Sequence, residues 1–361
     1  MIKLYGNHKI LTLLQNAHNT NSIASTYFFY GPEGIGKEAV ALKFAAMVNG
    51  LDEEKWLNSE NIIYLHKLPA NKSTKKSDDI YDTYPADVVE HIKDELQKKQ
   101  SNAYHKVEIP NANQIRVDSI RILKRKLSTS NSGGRRFVIV SGADTMNNAA
   151  ANSFLKTLEE PNPNTTIILI AENINSMLQT ILSRSQKIKF TPLTNEGISE
   201  YLDDHYSEID DEKKAIITSF AQGSISSAIQ YVDEDLSGIV NSSVDLLRAC
   251  LQRSGYRTLL MDRVEQLTKQ RDKNLIINTL KLLQKWLQDA MHLHYGEDKL
   301  IVNRSEVDSI KKFVNYYNDI NYPVVFDLIE RAIVRVNRNV TPDLLLVDLF
   351  LSIRKELLTG R

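Results

Sequence analysis

The feature that most constrains the fold is a short apolar run that leads directly into a glycine-rich loop. Tyr27-Phe28-Phe29-Tyr30 predicts a buried strand, and Gly31-Pro32-Glu33-Gly34-Ile35-Gly36-Lys37 follows it and opens a helical pattern. The backbone N–H groups of such a loop point at a phosphate. The pattern predicts an α/β domain with a parallel sheet and a phosphate loop. The candidate binding residues are Gly31, Gly34, Gly36 and Lys37.

The residue after this loop argues against hydrolysis. Lys37 can reach the terminal phosphates, but the motif then needs a Ser or Thr hydroxyl for Mg²⁺, and this sequence has Glu38. A carboxylate brings negative charge close to anionic phosphates. We interpret the loop as an ancestral phosphate loop that has lost catalysis, and nucleotide binding without turnover stays open. The alternative is that the glycines only permit tight packing.

The second predicted strand, Phe137–Val140, lacks the acidic pair that should follow it. A hydrolysing protein of this class needs one acidic residue for Mg²⁺ and one for the attacking water. Ser141 and Gly142 take these positions. Asp144 lies too far along the chain for either role, and we interpret it as a polar residue that leads into a helix.

The rest of the first half continues the α/β pattern. Strands are predicted at Thr166–Ile170 and Lys187–Phe190, with a helix at Asn148–Glu160 before them. The polar stretch at about 69–106 departs from the pattern. We interpret it as an insertion with a mobile loop at 71–79 and an exposed amphipathic helix from Val88 to Gln100, and a linker between two domains is the alternative.

Strands are no longer predicted after Phe190. The sequence predicts an α/β domain over 1–190, a small helical domain over 191–238 and an all-helical domain over 239–361. Apolar residues recur at helical spacing in the last of these, for example at Leu344, Val347, Leu351 and Leu358.

Composition excludes several classes of protein. The 361 residues carry a formal net charge of zero, so no strong global field draws the chain to nucleic acid or a membrane. The single cysteine, Cys250, allows neither a disulfide framework nor a cysteine zinc site. No apolar run approaches the roughly 20 residues that span a bilayer, and the first residues lack a signal-peptide pattern. We expect a cytoplasmic chain without a metal site or membrane partner.

Two further motifs carry a family resemblance. They are Ala149–Pro161, which contains Leu-Lys-Thr-Leu-Glu-Glu-Pro, and Ile181-Leu182-Ser183-Arg184-Ser185. With Gly31–Lys37 and Ser141–Met146, they make the chain similar to the clamp-loader subunits of bacterial DNA polymerase III, a family of AAA+ proteins. The resemblance covers about residues 1–235. The Ala-Asp-x-Met pattern at Ala143–Met146 is typical of family members that do not hydrolyse ATP.

This resemblance implies a fold, a role and partners. It implies an AAA+ phosphate-loop domain, a helical lid and a C-terminal helical collar that holds the subunits together. It implies that Arg184 is an arginine finger for a neighbouring motor subunit, whereas a structural arginine paired to a local carboxylate is the alternative. The implied partners are the motor (gamma/tau) and delta subunits, with the sliding clamp and primer-template DNA contacted through the assembly. No cofactor is required.

The chain departs from the family at several positions. Ser185 replaces the usual cysteine, Ser226 replaces the lid arginine of the motor subunits, and the cysteines of a zinc module found in many relatives are missing. Glu38, the missing acidic pair and Ser226 together argue against the alternative of an active clamp-loader motor or another phosphate-loop ATPase or nucleotide kinase. We therefore predict a chain that is not an enzyme on its own.

Two charged helix faces remain open to interpretation. One carries candidate DNA contacts, which are Arg121, Lys124, Arg125 and Lys126. The other carries Lys156, Glu159 and Glu160, which could face the interior of the ring. In both cases a solvated helix face is the alternative.

Overall fold

A computed structural model describes residues 2–52, 55–70, 81–128, 133–269, 271–317, 319–338 and 340–359. The predicted mobile loop at 71–79 lies outside these ranges. The chain forms two compact units. The first consists of Met1–His205 with Ala221–Ile229, and the second of Tyr206–Phe220 with Gln230–Arg361. Among the described residues, no helix has the length and apolar character required to cross a membrane.

The first unit is built on a parallel sheet of five strands in the order β2-β3-β4-β1-β5. The strands are β1 (Thr26–Tyr30), β2 (Ile62–Leu65), β3 (Arg136–Ser141), β4 (Thr165–Ala171) and β5 (Gln186–Lys189). The central strands are apolar and buried, as expected for a sheet with helices on both faces. The predicted α/β fold with a parallel sheet is confirmed.

Side chains alternate along each strand, so the apolar strands present apolar residues on both faces of the sheet. Helices cover both faces. The helices are α1 (His8–Asn19), α2 (Lys37–Val48), α3 (Ala86–Ser101), α4 (Val117–Ser128), α5 (Asn148–Glu159), α6 (Gln179–Leu182) and α7 (Asn195–His205). On one face, Phe28 packs in a core with Phe154 of α5. On the other, Tyr27 meets the Phe44 ring of α2 edge to face. Parallel strands and α/β connections therefore bring the ends of β1, β3 and β4 to one edge of the sheet.

The stretch from β2 to α4 forms a small structure of its own. Ile92 and Leu96 of α3 pack with Leu68 and Ile109 in a separate apolar cluster. The prediction of an exposed helix was incomplete, because the face of α3 that carries Ile92, Glu95, Leu96 and Lys99 is buried.

The segment after β5 contains three helices, which are α7, α8 (Asp211–Ala221) and α9 (Ile225–Val232). The boundary between the two compact units runs within α8 and within α9, so the units do not coincide with the predicted helical domain at 191–238. The division into three domains stays a prediction.

The second unit is helical throughout its described residues. Its further helices are α10 (Leu236–Leu251), α11 (Tyr256–Thr268), α12 (Lys273–His294), α13 (Val307–Tyr316), α14 (Tyr322–Asn337) and α15 (Pro342–Thr359). The longest, α12, buries Trp286, and Cys250 of α10 is buried as well. Burial raises the pKa of the Cys250 thiol to about 12. The predicted all-helical C-terminal region is confirmed.

The apolar stripe predicted for α15 was wrong in its position. Leu344 is 75% exposed, whereas Leu346, Phe350 and Ile353 are fully buried. Leucine and valine occur on more than one side of α15, so periodicity alone cannot choose the face that packs.

Candidate functional site

The phosphate loop joins the end of β1 to the start of α2, as predicted. Gly34 and Gly36 have φ values of 72° and 92°, in the left-handed region where other residues are strained. A Cβ atom on Gly34 would lie 2.2 Å from the Ser224 hydroxyl oxygen, and one on Gly36 would lie 2.9 Å from the Tyr104 ring. Both glycines are therefore required by the backbone and by close neighbours, so tight packing also contributes to their presence.

The lysine of the loop is turned into the loop itself. Its ammonium donates to the Gly31 carbonyl at 2.6 Å and to the Pro32 carbonyl, and Lys37 is only 7% exposed. Burial lowers the pKa of Lys37, although nearby carboxylates, Glu38 first among them, oppose this shift. The ammonium that would reach a phosphate is thus bound to carbonyl oxygens of its own loop.

Glu38 occupies the metal-ligating position of the motif, and it is paired with a cation of the same chain. Its carboxylate forms an ion pair with the Lys99 ammonium and accepts a hydrogen bond from the Ser141 hydroxyl. Burial opposes ionisation of Glu38, but Lys99 and the hydroxyls of Ser141 and Tyr64 outweigh it, so the pKa is lowered. The Glu38 carboxylate is ionised at neutral pH, and the Lys99 ammonium balances its charge.

The end of β3 has no acidic pair in contact with the loop. Ser141 takes the first position and donates to Glu38. Asp144 lies in a short 3-10 helix, and its carboxylate accepts the backbone N–H of Glu172 at 3.2 Å. The residue that caps the following helix α5 is Asn147, whose side-chain oxygen accepts from the N–H of Ala150 at 2.8 Å. Asp144 therefore links the ends of β3 and β4.

A cavity of about 220 Å³ remains beside the loop. It is smaller than the roughly 300–1,000 Å³ that is usual for ligand pockets. The charged groups among its described lining residues balance each other: Lys37, Lys67, Lys99 and Lys106 against Glu33, Glu38, Asp144 and Glu172. Burial and the neighbouring carboxylates Glu33 and Asp144 raise the pKa of Glu172. The cavity therefore offers the phosphates of a nucleotide no excess of lysines over carboxylates.

Lys99, Tyr104 and Lys106 at this site were not predicted. They belong to the insertion, where Lys99 is 2% exposed and also donates to the His105 carbonyl at 2.7 Å. A signal was present in the sequence, because Lys99 shares its helix face with Ile92 and Leu96 at helical spacing. A lysine on an apolar stripe is unusual and implies a buried partner.

The predicted arginine finger lies at the end of α6. Arg184 pairs with Glu159 of α5 at 2.9 Å and donates to the Thr180 carbonyl at 2.8 Å, and its side chain is 37% exposed. The described residues that line the phosphate-loop cavity do not include Arg184. The fold thus brings the two signature motifs together and leaves the Arg184 side chain partly exposed. The finger role stays a prediction.

The candidate DNA contacts lie on α4 and do not form one free surface. Arg121 pairs with Asp118 at 2.9 Å, and Lys124 donates to the carbonyl oxygen of Ser153 on α5. Arg125 and Lys126 lie on the same helix, with Arg125 exposed. Because Lys124 holds α4 against α5, its side chain has a structural task, and DNA contact stays a prediction. In the described ranges no cluster of three or more His, Cys, Asp or Glu residues could hold a metal ion.

The buried Glu95 carboxylate is the centre of a hydrogen-bond network that holds the segment after α3. Its carboxylate accepts from the Glu108 N–H at 3.0 Å, the His105 ring at 2.9 Å and the Lys98 ammonium at 2.8 Å. Burial opposes ionisation, but these partners outweigh it and lower the pKa of Glu95 to about 2. The network therefore depends on the charged form of Glu95.

We expect the chain to lose stability in acid through Glu95. Its folded pKa of about 2 lies below the usual value of about 4.3, so the contribution is complete above about pH 4.5 and is lost as the pH falls towards 2. As the pH is lowered, the urea concentration at the midpoint of unfolding, followed by circular dichroism, should fall less steeply in Glu95→Gln than in the wild type. The exposed Glu90→Gln on the same helix is the control. Equal acid slopes for all three proteins would contradict this assignment.

Comparison with known proteins agrees with this geometry. The family model described as "DNA polymerase III, delta subunit" matches residues 6–194, which is more than half of the chain. The chain belongs to this family. The clamp-loader resemblance predicted from the motifs is thereby confirmed.

Individual relatives of this DNA polymerase III family match over shorter stretches. The subunit delta' of Haemophilus influenzae is 36% identical over 127 residues, which is 35% of this chain and 38% of that protein. The subunit delta' of Bacillus subtilis is 39% identical over 94 residues, 26% and 29% of the two chains. The match thus spans about a third of the length of these curated relatives. A solved gamma subunit-related protein of Thermotoga maritima covers 95% of this chain and 99% of its own, at 16% identity and a TM-score of 0.46.

Proposed function

We propose that this chain is a delta-prime-type subunit of a DNA polymerase III clamp loader that does not hydrolyse ATP itself. The observation that carries the proposal is the ion pair between Glu38 and Lys99. It puts a neutralised carboxylate where hydrolysing phosphate-loop proteins have the hydroxyl for Mg²⁺. Ser141, bonded to the same carboxylate in place of an acidic residue, supports the same conclusion.

The proposal gives Arg184 to the nucleotide site of a neighbouring motor subunit. The Thr180 carbonyl and Glu159 orient the guanidinium, while its side chain stays partly exposed. The terminal phosphate of a nucleotide carries more negative charge than one carboxylate, so it competes with Glu159 for the guanidinium. Arg184 would then stabilise the charge that develops in phosphoryl transfer.

The proposed partners follow from the relatives. They are motor subunits of the gamma or tau type and the delta subunit, with the sliding clamp and primer-template DNA contacted through the assembly. Helices α10–α15 are proposed as the collar, and no cofactor is required by this chain.

ATP hydrolysis by the purified chain tests the proposal. We expect no turnover above that of Lys37→Ala, because the site lacks both the Ser or Thr hydroxyl for Mg²⁺ and the acidic pair. We also expect the chain to co-purify with motor and delta subunits of its own organism. Turnover at the level of a motor subunit that Lys37→Ala abolishes would reject the proposal in favour of an active ATPase.

A further inference from the structure

The segment from Lys99 to Lys106, at the end of α3 and in the loop after it, contacts the phosphate loop and the start of α2 at three points. We propose that this segment is a built-in occupant of the phosphate-loop site and fills the place that a nucleotide and its metal take in hydrolysing proteins. The inference deepens the proposed function, because it names what excludes the nucleotide. If the motif had only lost its catalytic residues, its site would still be open to a nucleotide. A segment that fills the site instead occupies the nucleotide's place.

The first contact replaces a metal cation with an ammonium. Lys99 is almost completely buried and pairs with Glu38 at the metal-ligating position. The same ammonium donates to the His105 carbonyl at 2.7 Å, which fixes the loop that follows. A buried charge is retained only with a partner, so Lys99 and Glu38 depend on each other. The cation that pairs with residue 38 is thus a lysine of the chain itself and not a bound metal ion.

The second contact covers the loop with an aromatic ring. Tyr104 lies so close to Gly36 that a Cβ atom there would be 2.9 Å from the ring. Its hydroxyl accepts the Tyr5 N–H at 3.2 Å, and its carbonyl accepts the Ser226 hydroxyl at 3.2 Å. By the family resemblance, Ser226 takes the place of the lid arginine of the motor subunits. The ring and carbonyl of Tyr104 therefore connect the loop to the start of α9 without a ligand.

The third contact is an ion pair at the edge of the site, and Glu95 holds the segment on its other side. Lys106 pairs with Glu33 of the loop at 2.9 Å, and because both side chains are partly exposed this pair adds little stability. Glu95 holds the segment on its other side through His105 and the backbone of Glu108. The segment is thus fixed to α3 and to the phosphate loop together, and about 220 Å³ is left beside it.

Two matched variants separate an occupied site from a decayed one. Glu38→Thr/Lys99→Met restores the hydroxyl and removes both charges, but it keeps the lysine stem and the Tyr104 ring in place. Glu38→Thr/Lys99→Ala/Tyr104→Ala restores the same hydroxyl and also removes the side chains that fill the site. Binding of ATP with Mg²⁺ is measured by calorimetry, with folding checked by circular dichroism. We expect the second variant to bind at least about tenfold more tightly than the first. Equal affinities would overturn the proposal.

Acetylation of lysines in the wild-type chain gives a second test that needs no variant. Mass spectrometry should find Lys37 and Lys99 protected without nucleotide, with the exposed Lys93 as the internal reference. Addition of ATP with Mg²⁺ should leave this protection unchanged. Acetylation of Lys99 at the rate of Lys93 would contradict an occupied site. Neither result bears on clamp-loader assembly, which co-purification tests separately.

Discussion

Replacement of Arg184 by alanine should reduce ATP hydrolysis at the neighbouring motor site by about 10³-fold or more, the usual contribution of an arginine supplied in trans. The chain itself should remain folded, because Arg184 is partly exposed and its pair with Glu159 contributes little to stability. The measurements are ATP hydrolysis and clamp loading by a reconstituted assembly with primed DNA. Clamp loading should fall together with hydrolysis.

Two variants sharpen this test. Lys55→Ala removes an exposed cation that also pairs with a carboxylate, that of Asp52 at 3.5 Å, and it should leave hydrolysis unchanged. Glu159→Gln frees Arg184 from its local partner and should preserve activity, since the finger role needs the guanidinium and not the pair. Clamp loading by Arg184→Ala at the wild-type rate would reject the finger role and favour a purely structural arginine.

Replacement of Lys99 by methionine should lower the free energy of unfolding by about 3–5 kcal/mol, the usual cost of leaving one buried charge without its partner. Methionine preserves most of the lysine stem, so the loss reports the charge and not a cavity. Urea unfolding followed by circular dichroism measures it. The exposed Lys93→Met, on the same helix, should change stability by less than about 0.5 kcal/mol.

The double variant Glu38→Gln/Lys99→Met decides whether the pair is the cause. Removing both charges leaves no uncompensated ion, so most of the stability lost in Lys99→Met should return. A double variant that is no more stable than Lys99→Met would mean that packing around α3, and not the ion pair, accounts for the loss.

The sequence was sufficient for the central fold because its signals are local. The apolar runs at β1, β3 and β4 and the glycine loop predicted their elements within a residue or two. The edge strand β5 was predicted with the same one-residue offset, but the other edge strand, β2, was missed. Ile62-Ile63-Tyr64-Leu65 is only four residues long, and it is a strand because it pairs with Phe137–Val140.

The candidate site was predicted only in part for a related reason. Glu38 could be recognised as a defect from its position in the motif. Lys99 is conspicuous as a lysine on the apolar face of α3, but its pairing with Glu38 could not be predicted, because the pair forms only when α3 folds back over the loop. Arg184 and Glu159 were both singled out, yet their contact depends on how α5 and α6 pack. Charge pairs between distant segments are set by tertiary structure, which periodicity does not encode.

The ion pair between Glu38 and Lys99 also limits the evolution of this chain. A single substitution that restored Ser or Thr at position 38 would leave Lys99 buried without a counter-charge, and loss of Lys99 alone would leave the mostly buried Glu38 carboxylate without its ammonium partner. Either first step costs several times the roughly 1 kcal/mol of a typical mutation. Restoring a hydroxyl at position 38 without this cost therefore requires residues 38 and 99 to change together, so the ion pair hinders reversal of that one substitution.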